Sequence, residues 1–183
     1  MVRNMLYDSQ LWISDIDRVI ESLPELNDLA GKTMLITGAG GLICSSIVDI
    51  LIRFNEYSEN KIGILATGRN EGRIRARFGK YCDKSYFAFV PYDAAVSQIE
   101  RQTKADYIIH GASNASPNAI VKEPVETMMS NFIGMLNLLA YARTQGTKRV
   151  LFISSSEVYG IKNNNEPYRE NEYGYIDLLN ART

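Results

Sequence analysis

Hydroxyl and carboxylate side chains are concentrated in one short segment, SSSEVYG at residues 154–160, which directly follows an apolar run. A serine hydroxyl can hydrogen-bond a substrate hydroxyl, or act as a nucleophile where a histidine lies beside it as a base. His110 is the one histidine of the chain, and the sequence offers it no partner at metal-ligand spacing. We therefore expect neither a metal site nor a serine-hydrolase site, and three serines that close a strand and cap a turn are the alternative interpretation of this segment.

A second candidate site is the glycine-rich segment TGAGGLICSSI, residues 37–47. Its glycines permit a tight turn and a close backbone approach, and the helix predicted to follow offers free N–H groups to a pyrophosphate. The segment lacks the lysine and threonine of a mononucleotide P-loop, so a dinucleotide is favoured over ATP. We predict that Gly38, Gly41, Leu42 and Ile43 bind this cofactor, with a plain glycine-rich turn as the alternative interpretation.

The elements that position these segments alternate between strand and helix. Strands are predicted at 32–37, 61–67, 85–92, 106–112 and 148–154, and helices at 42–54, 70–80, near 94–103 and at 124–146. The strands are nearly continuous apolar runs, which predicts an α/β fold with a Rossmann-like, doubly wound parallel sheet covered by helices on both faces. Residues 1–30, with apolar positions at helical spacing up to Pro24, are predicted to form an N-terminal helical extension, and residues 31–183 the NAD(P)-binding Rossmann domain.

Ligands of such sheets bind beyond the carboxyl ends of the strands. Five predicted strand ends carry glycine, charged or hydroxyl residues: 37–41, 67–69, 93, 110–113 and 154–157. This coincidence is the main argument from the sequence for a functional site at that edge.

The composition excludes several classes of protein. A net charge of -1 over 183 residues gives no electrostatic footprint for nucleic acid or for an anionic membrane. The two cysteines form no disulfide framework, and we find neither a signal peptide nor an apolar run long enough to span a membrane. We expect a cytoplasmic protein with no nucleic-acid or membrane partner.

The glycine segment resembles the TGxxGxxG motif of the extended short-chain dehydrogenase/reductase family, the NAD-dependent epimerase/dehydratase group. Gly38 and Gly41 match its first two glycines, and Cys44 replaces the third. The resemblance runs from about Gly31 to Arg182 and includes HGASNASP at 110–117, which is similar to the HxA motif and to a stretch of UDP-glucuronate decarboxylases. It implies that Ala112 and Ser113 lie beside the nicotinamide ribose.

The resemblance also implies NAD as cofactor, with Asp93 contacting the adenine; a helix cap is the alternative role of this aspartate. An NAD site usually offers a carboxylate at the end of the second strand, but this chain has LATGRN there, with Arg69 and no acid. An arginine suits the 2′-phosphate of NADP, and a solvated surface arginine is the alternative. Arg69 therefore leaves NADP open.

On the substrate side, the resemblance implies that Ser155 hydrogen-bonds the 4-hydroxyl of a nucleotide-sugar and that Glu157 faces the sugar ring. Related 4,6-dehydratases have Thr-Asp-Glu at these positions and UDP-glucuronate decarboxylases have Thr-Ser-Glu. Ser156 favours the decarboxylase, because serine is a poor substitute for an acid that protonates a leaving hydroxyl. A dTDP-glucose 4,6-dehydratase or a 4-epimerase remains the alternative.

The family's Y-x-x-x-K base is expected after the Ser155 segment, and none of the tyrosines there, Tyr159, Tyr168, Tyr173 and Tyr175, has a lysine four residues later. We therefore expect an N-terminal portion of a longer enzyme, without its C-terminal substrate lobe, that is inactive alone and forms a homodimer at full length. A non-catalytic dinucleotide-binding module is the alternative of another class.

Overall fold

The computed structural model describes residues 6–96, 99, 104–114 and 116–179. Its α-helices are α1 (Gln10–Ser22), α2 (Leu42–Tyr57), α3 (Glu71–Phe78), α4 (Pro117–Lys122) and α5 (Pro124–Gln145). Its strands are β1 (Thr33–Thr37), β2 (Gly63–Gly68), β3 (Phe87–Pro91), β4 (Tyr107–His110) and β5 (Arg149–Phe152). Short 3₁₀ helices at Pro24–Leu29, Gly79–Asp83 and Ser156–Tyr159 complete the described elements.

The five strands form one parallel sheet in the order β3-β2-β1-β4-β5. The chain therefore starts in the middle of the sheet, runs outward to β3, and crosses back over β1 to β4. Because β1 is flanked by β2 and β4, the direction of winding reverses beside it, which is where doubly wound folds bind their ligands. The predicted Rossmann-like parallel sheet is confirmed.

Helices cover both faces of the sheet. Alternate residues of a strand point to opposite faces, and Ile36 accordingly belongs to the core under α2 and α3, while Leu35 belongs to the core under α5. The first core is the larger and includes Ile52 of α2 and Phe78 of α3, both almost completely buried. The sheet is thus a rigid support for the loops at its carboxyl edge.

The N-terminal extension packs against the outer side of this domain. Tyr7 donates a hydrogen bond to the buried carboxylate of Asp49 in α2, and Arg77 of α3 forms an ion pair with the same carboxylate. Burial raises the pKa of Asp49, while Arg77 and Tyr7 act in the opposite direction. A second ion pair joins Arg53 of α2 to Asp17 of α1 at 2.7 Å. The extension is therefore held by two polar contacts to α2 in addition to its apolar packing.

Two strands end earlier than predicted. β4 ends at His110 and β5 at Phe152, each two residues before the predicted end. Beyond β4 the Gly111 N–H donates to both the backbone carbonyl and the hydroxyl of Thr37, and the Ala112 N–H donates to the Thr37 hydroxyl. These hydrogen bonds turn the chain out of the sheet and start the loop.

Residues 117–122, for which no helix or strand is predicted from the sequence, form α4. Proline suits the first turn of a helix, because its fixed φ is helical and its missing N–H has no partner there. The helix predicted near 94–103 is seen as a turn at 94–96, and most of its remaining residues lie outside the described ones.

The two faces of α5 differ from those of an ordinary amphipathic helix. Its buried residues are mostly small or polar and include Thr127, Ser130 and Gly134. Its outer face instead exposes large apolar side chains: Val125, Met128, Phe132, Leu136 and Leu139. Across the described residues, no helix combines the length and the hydrophobicity needed to cross a membrane.

Candidate cofactor and substrate site

The glycine loop between β1 and α2 is shaped to receive a ligand. Gly38 has φ +68°, and a Cβ added there would lie 2.8 Å from the Gly111 carbonyl oxygen, so a side chain is excluded on both grounds. Gly41 is the N-cap of α2 and supplies no side-chain cap. The first N–H groups of α2 therefore lack intrahelical partners and are directed toward the loop. Leu42 and Ile43 are 87% and 59% exposed in this first turn.

Thr37, the last residue of β1, joins this loop to the end of β4. Its hydroxyl oxygen accepts the N–H groups of Gly111 and Ala112, both at 3.2 Å, and lies 2.6 Å from Nδ1 of His110. Since the oxygen already accepts two hydrogen bonds, its own hydrogen is donated to Nδ1, which places the ring proton on Nε2. Sequence reasoning did not single out Thr37. The signal available was a threonine at one strand end and a histidine at another, and neither position indicates that the two strands are neighbours.

His110 is structural rather than exposed for chemistry. It is fully buried, and its ring stacks on Phe152 of β5 at 5.5 Å between centroids. Burial lowers the pKa of the imidazole, so the neutral form that accepts from Thr37 is favoured. Within the described part of the chain, Nε2 has no hydrogen-bond partner.

Cys44 occupies the position of the third motif glycine, and Gly111 makes the room for it. Cys44 is 3% exposed in the first turn of α2. A Cβ added at Gly111 would lie well inside 3.0 Å of the Cys44 sulfur, a separation that real Cβ atoms essentially never show. The close approach of helix and strand that the motif provides is thus kept. The residue without a side chain is Gly111, just after β4, instead of a glycine in α2. Burial also raises the pKa of the Cys44 thiol.

The ends of β2 and β3 form the next part of this edge. Arg69, directly after β2, is exposed, and the Thr67 carbonyl accepts the N–H of Ala39 in the glycine loop at 3.1 Å. Asp93, two residues after β3, is half-buried and accepts the N–H of Ala95 at 3.0 Å. Asp93 therefore caps a turn; its contact with an adenine and its alternative role as a helix cap both stay predictions.

Ser155, Ser156 and Glu157 follow β5. The Ile153 N–H donates to the His110 carbonyl at 2.9 Å, which holds the start of this segment beside the β4 loop. Ser155 is exposed and its hydroxyl accepts the Glu157 N–H at 3.2 Å, capping the short 3₁₀ helix. That hydroxyl keeps its own hydrogen for a ligand.

Parallel pairing brings these segments to one edge. Thr37 is opposite His110, and His110 is opposite Phe152, so the glycine loop, the loop with Ala112 and Ser113, and the Ser155 segment are successive neighbours. The loops after β2 and β3 extend the same edge on the other side, where Gly68 is opposite Pro91. Among the described residues, no group of three or more His, Cys, Asp or Glu side chains is placed to hold a metal ion.

The residues present fit a dinucleotide. Because Gly38 and Gly41 have no side chains, the backbone of the loop is open next to the uncapped N-terminus of α2. A pyrophosphate requires such an open backbone and free N–H groups. The small residues after β4 leave open backbone beside it, at the point where the winding of the sheet reverses.

Sequence comparison gives relatives that modify nucleotide-sugars. UDP-glucuronic acid decarboxylase 6 of Arabidopsis thaliana is 32% identical over 150 residues, which are 82% of this chain and 41% of the relative. UDP-glucuronic acid decarboxylase 1 of Danio rerio is 29% identical over 157 residues, 86% of this chain and 35% of the relative. The matched region thus spans 35–41% of the length of these two relatives.

Among solved structures, a UDP-N-acetylglucosamine 4-epimerase from Methanobrevibacter ruminantium M1 in complex with UDP-N-acetylmuramic acid is 28% identical, with a TM-score of 0.65. The match covers 79% of this chain and 44% of that one. A UDP-glucose-4-epimerase from Stenotrophomonas maltophila, solved with bound NAD, shares the fold at 21% identity and a TM-score of 0.58, covering 78% and 42% of the two chains.

A family model decides the assignment. The model of the NAD dependent epimerase/dehydratase family matches residues 34–180, which include every strand described above and the glycine loop. The chain belongs to the NAD dependent epimerase/dehydratase family.

Proposed function

We propose that this chain is the dinucleotide-binding portion of an enzyme that decarboxylates UDP-glucuronate or a closely similar nucleotide-sugar. The observation that carries the proposal is the shared edge, where a glycine cradle and a serine hydroxyl with a free hydrogen lie on neighbouring strands. The decarboxylase relatives and the Ser155-Ser156-Glu157 triplet support this reaction over dehydration. A 4,6-dehydratase or a 4-epimerase is the alternative within the family.

The first turn of α2 holds the cofactor in this proposal. The N–H groups of Leu42 and Ile43 bind the pyrophosphate, and Gly38 and Gly41 let it approach the backbone. Ala112 and Ser113 border the nicotinamide ribose, and Asp93 the adenine. When bound, the dinucleotide supplies the hydride acceptor at C4 of the sugar and returns the hydride later.

Ser155 positions the substrate. Its hydroxyl hydrogen-bonds the sugar 4-hydroxyl and orients the proton that leaves it, while its oxygen stays fixed by the Glu157 N–H. Glu157 faces the sugar ring, and Ser156 supplies no acid for a leaving hydroxyl. The family's proton acceptor is a tyrosine of a Y-x-x-x-K motif, and no tyrosine from Tyr159 onward begins one, so we expect these 183 residues to bind dinucleotide without turnover.

Dinucleotide binding is tested first, by calorimetric titration of the chain with NAD⁺ and NADP⁺. Leu42→Glu places a carboxylate beside the pyrophosphate at an 87% exposed position, where it leaves the core intact. We expect it to weaken binding at least about tenfold through like-charge repulsion at a helix N-terminus. Leu11→Glu, at a 73% exposed position of α1, is the matched control and should leave binding unchanged.

The reaction is tested with the full-length parent polypeptide. Carbon dioxide release from UDP-glucuronate, lost in Ser155→Ala, is the expected result. Formation of a 4-keto-6-deoxy product from dTDP-glucose would favour the dehydratase instead. Turnover of either substrate by the 183-residue chain alone would contradict the division of the site proposed above.

A further inference from the structure

We propose that the dinucleotide site selects NADP over NAD, with Arg69 and Arg73 binding the 2′-phosphate of the adenosine ribose. The inference rests on the proposed function, because it names the form of dinucleotide taken by that same site. In dinucleotide-binding folds the 2′ position is read near the end of the second strand. An acidic residue there binds a free 2′-hydroxyl, whereas an arginine accommodates a 2′-phosphate.

The side-chain oxygens of Asn70 and Glu71, which follow β2, are already engaged. Asn70 is the N-cap of α3, and its Oδ1 accepts the N–H of Arg73 at 3.1 Å. Glu71 is the first acidic residue after the strand, and its carboxylate accepts from Arg75 at 2.8 Å. An NAD ribose would therefore meet no uncommitted carboxylate in this segment.

The same segment carries excess positive charge. Residues 69–77 include four arginines and one acid. Arg75 pairs with Glu71 and Asp83, and Arg77 with Asp49. Arg69 and Arg73 are both exposed, and neither forms an ion pair with a described residue. Two guanidinium groups are thus available to an anion, and the planar fork of arginine matches the oxygens of a phosphate.

Packing sets these arginines beside the phosphate loop. Ile74, which follows Arg73, lies with its Cδ1 3.4 Å from where a Cβ of Gly40 would be, and 3.9 Å from that of Gly68. The first turn of α3 is therefore in contact with both the glycine loop and the end of β2. A dinucleotide whose pyrophosphate rests on the loop has its adenosine ribose at this border.

Asp93, which follows β3, is the described carboxylate that this strand brings to the same edge, and it binds a backbone N–H instead of an arginine. Its Oδ1 accepts the N–H of Ala95 at 3.0 Å, and no ion pair joins it to a described arginine. It therefore leaves both guanidinium groups free for the phosphate.

The test compares ligands that differ by the 2′-phosphate alone, using calorimetry on the 183-residue chain. The ligand pairs are NADP⁺ with NAD⁺, and adenosine 2′,5′-bisphosphate with AMP. One charge-assisted arginine–phosphate contact corresponds to about a tenfold or greater preference for each phosphorylated ligand. The preference should shrink as ionic strength rises, because both arginines are exposed.

Three variants locate the effect. Arg69→Ala should weaken NADP⁺ binding about tenfold and change NAD⁺ binding less than about twofold, and Arg69→Asp should reverse the preference. Lys80→Ala removes an equal charge at an exposed position just after α3, and should leave the preference unchanged. Circular dichroism melts check that each variant is folded.

The outcomes separate this inference from the proposed function. Binding of NAD⁺ as tight as or tighter than NADP⁺ would overturn the inference and leave dinucleotide binding intact. A preference for NADP⁺ that survives in both Arg69→Ala and Arg73→Ala would also overturn the assignment of these residues. Absence of binding by every dinucleotide would overturn both proposals.

Discussion

Gly111→Ala tests whether the missing side chain of Gly111, just after β4, makes the room that Cys44 needs in place of a motif glycine. The new Cβ would overlap the Cys44 sulfur and would also lie 3.2 Å from Ile153 Cδ1. Gly111 does not have positive φ, so alanine meets no backbone strain and the cost is steric alone. Overpacking of this kind costs about 1–3 kcal/mol, and we expect the free energy of unfolding to fall by that amount.

The assay is urea unfolding of four proteins: the parent, Gly111→Ala, Cys44→Ala, and the double variant. Cys44→Ala removes the overlapping sulfur, so the double variant should lose less stability than the sum of the single variants. The expected coupling is about 1–2 kcal/mol, within the range for residues in direct contact. Because the overlap pushes on the first turn of α2, Gly111→Ala should also weaken dinucleotide binding.

Gly68→Ala is the matched control, since its Cβ would be 3.9 Å from Cδ1 of Ile74, an ordinary van der Waals distance. It should change the free energy of unfolding by less than about 0.5 kcal/mol. If Gly111→Ala is as mild as this control, or if the two single effects simply add, then Cys44 and Gly111 do not share space and the compensation described above is wrong.

Three further predictions concern the scaffold. Burial lowers the pKa of His110, so between the lowered value and pH ~6.5 the unfolded chain binds a proton that the folded chain does not. Stability should therefore fall as the pH falls through this range, by up to about 1.4 kcal/mol per pH unit. An NMR titration of the single imidazole checks the pKa, and His110→Asn should flatten that slope. Tyr7→Phe removes the hydrogen bond to buried Asp49 and should cost about 1–2 kcal/mol in urea unfolding, with faster proteolysis of the N-terminal segment; unchanged proteolysis would contradict it. Gly134→Ala would place a Cβ 2.9 Å from the Ala94 Cβ and should lower stability by about 1–3 kcal/mol, whereas an unchanged melting temperature would show that α5 can move away.

The fold could be predicted because its signals are local. Apolar runs of strand length alternate with segments of helical period, and each glycine or hydroxyl cluster falls at a strand end. The early ends of β4 and β5 could not be predicted, because the chain leaves the sheet only where Thr37 draws the N–H groups of Gly111 and Ala112 to its hydroxyl. Those groups are 74 and 75 residues away from Thr37 in sequence.

The sequence predicted which residues lie at the candidate site better than it predicted which side chains those residues contact. Motif spacing indicated Gly38, Gly41 and Ser155, all of which lie at the carboxyl edge of the sheet, while their binding roles stay predictions. The role of Gly111 had no local signal, because a glycine after a strand is ordinary until the sulfur beside it is known. The same applies to Glu71: its engagement by Arg75 depends on side-chain geometry that the sequence LATGRNEGR does not contain.

During synthesis on the ribosome, Tyr7 emerges long before the groups that it contacts in the folded protein. Asp49 follows 42 residues later, and Arg77 about 70 residues later, which at about 5–20 residues per second is an interval of roughly 4–14 seconds. Over that time the amphipathic helix α1 has no completed surface to dock on. The cluster of Tyr7, Asp49 and Arg77 is therefore complete only once α3 has been made, which makes it a late event in the assembly of this half of the sheet.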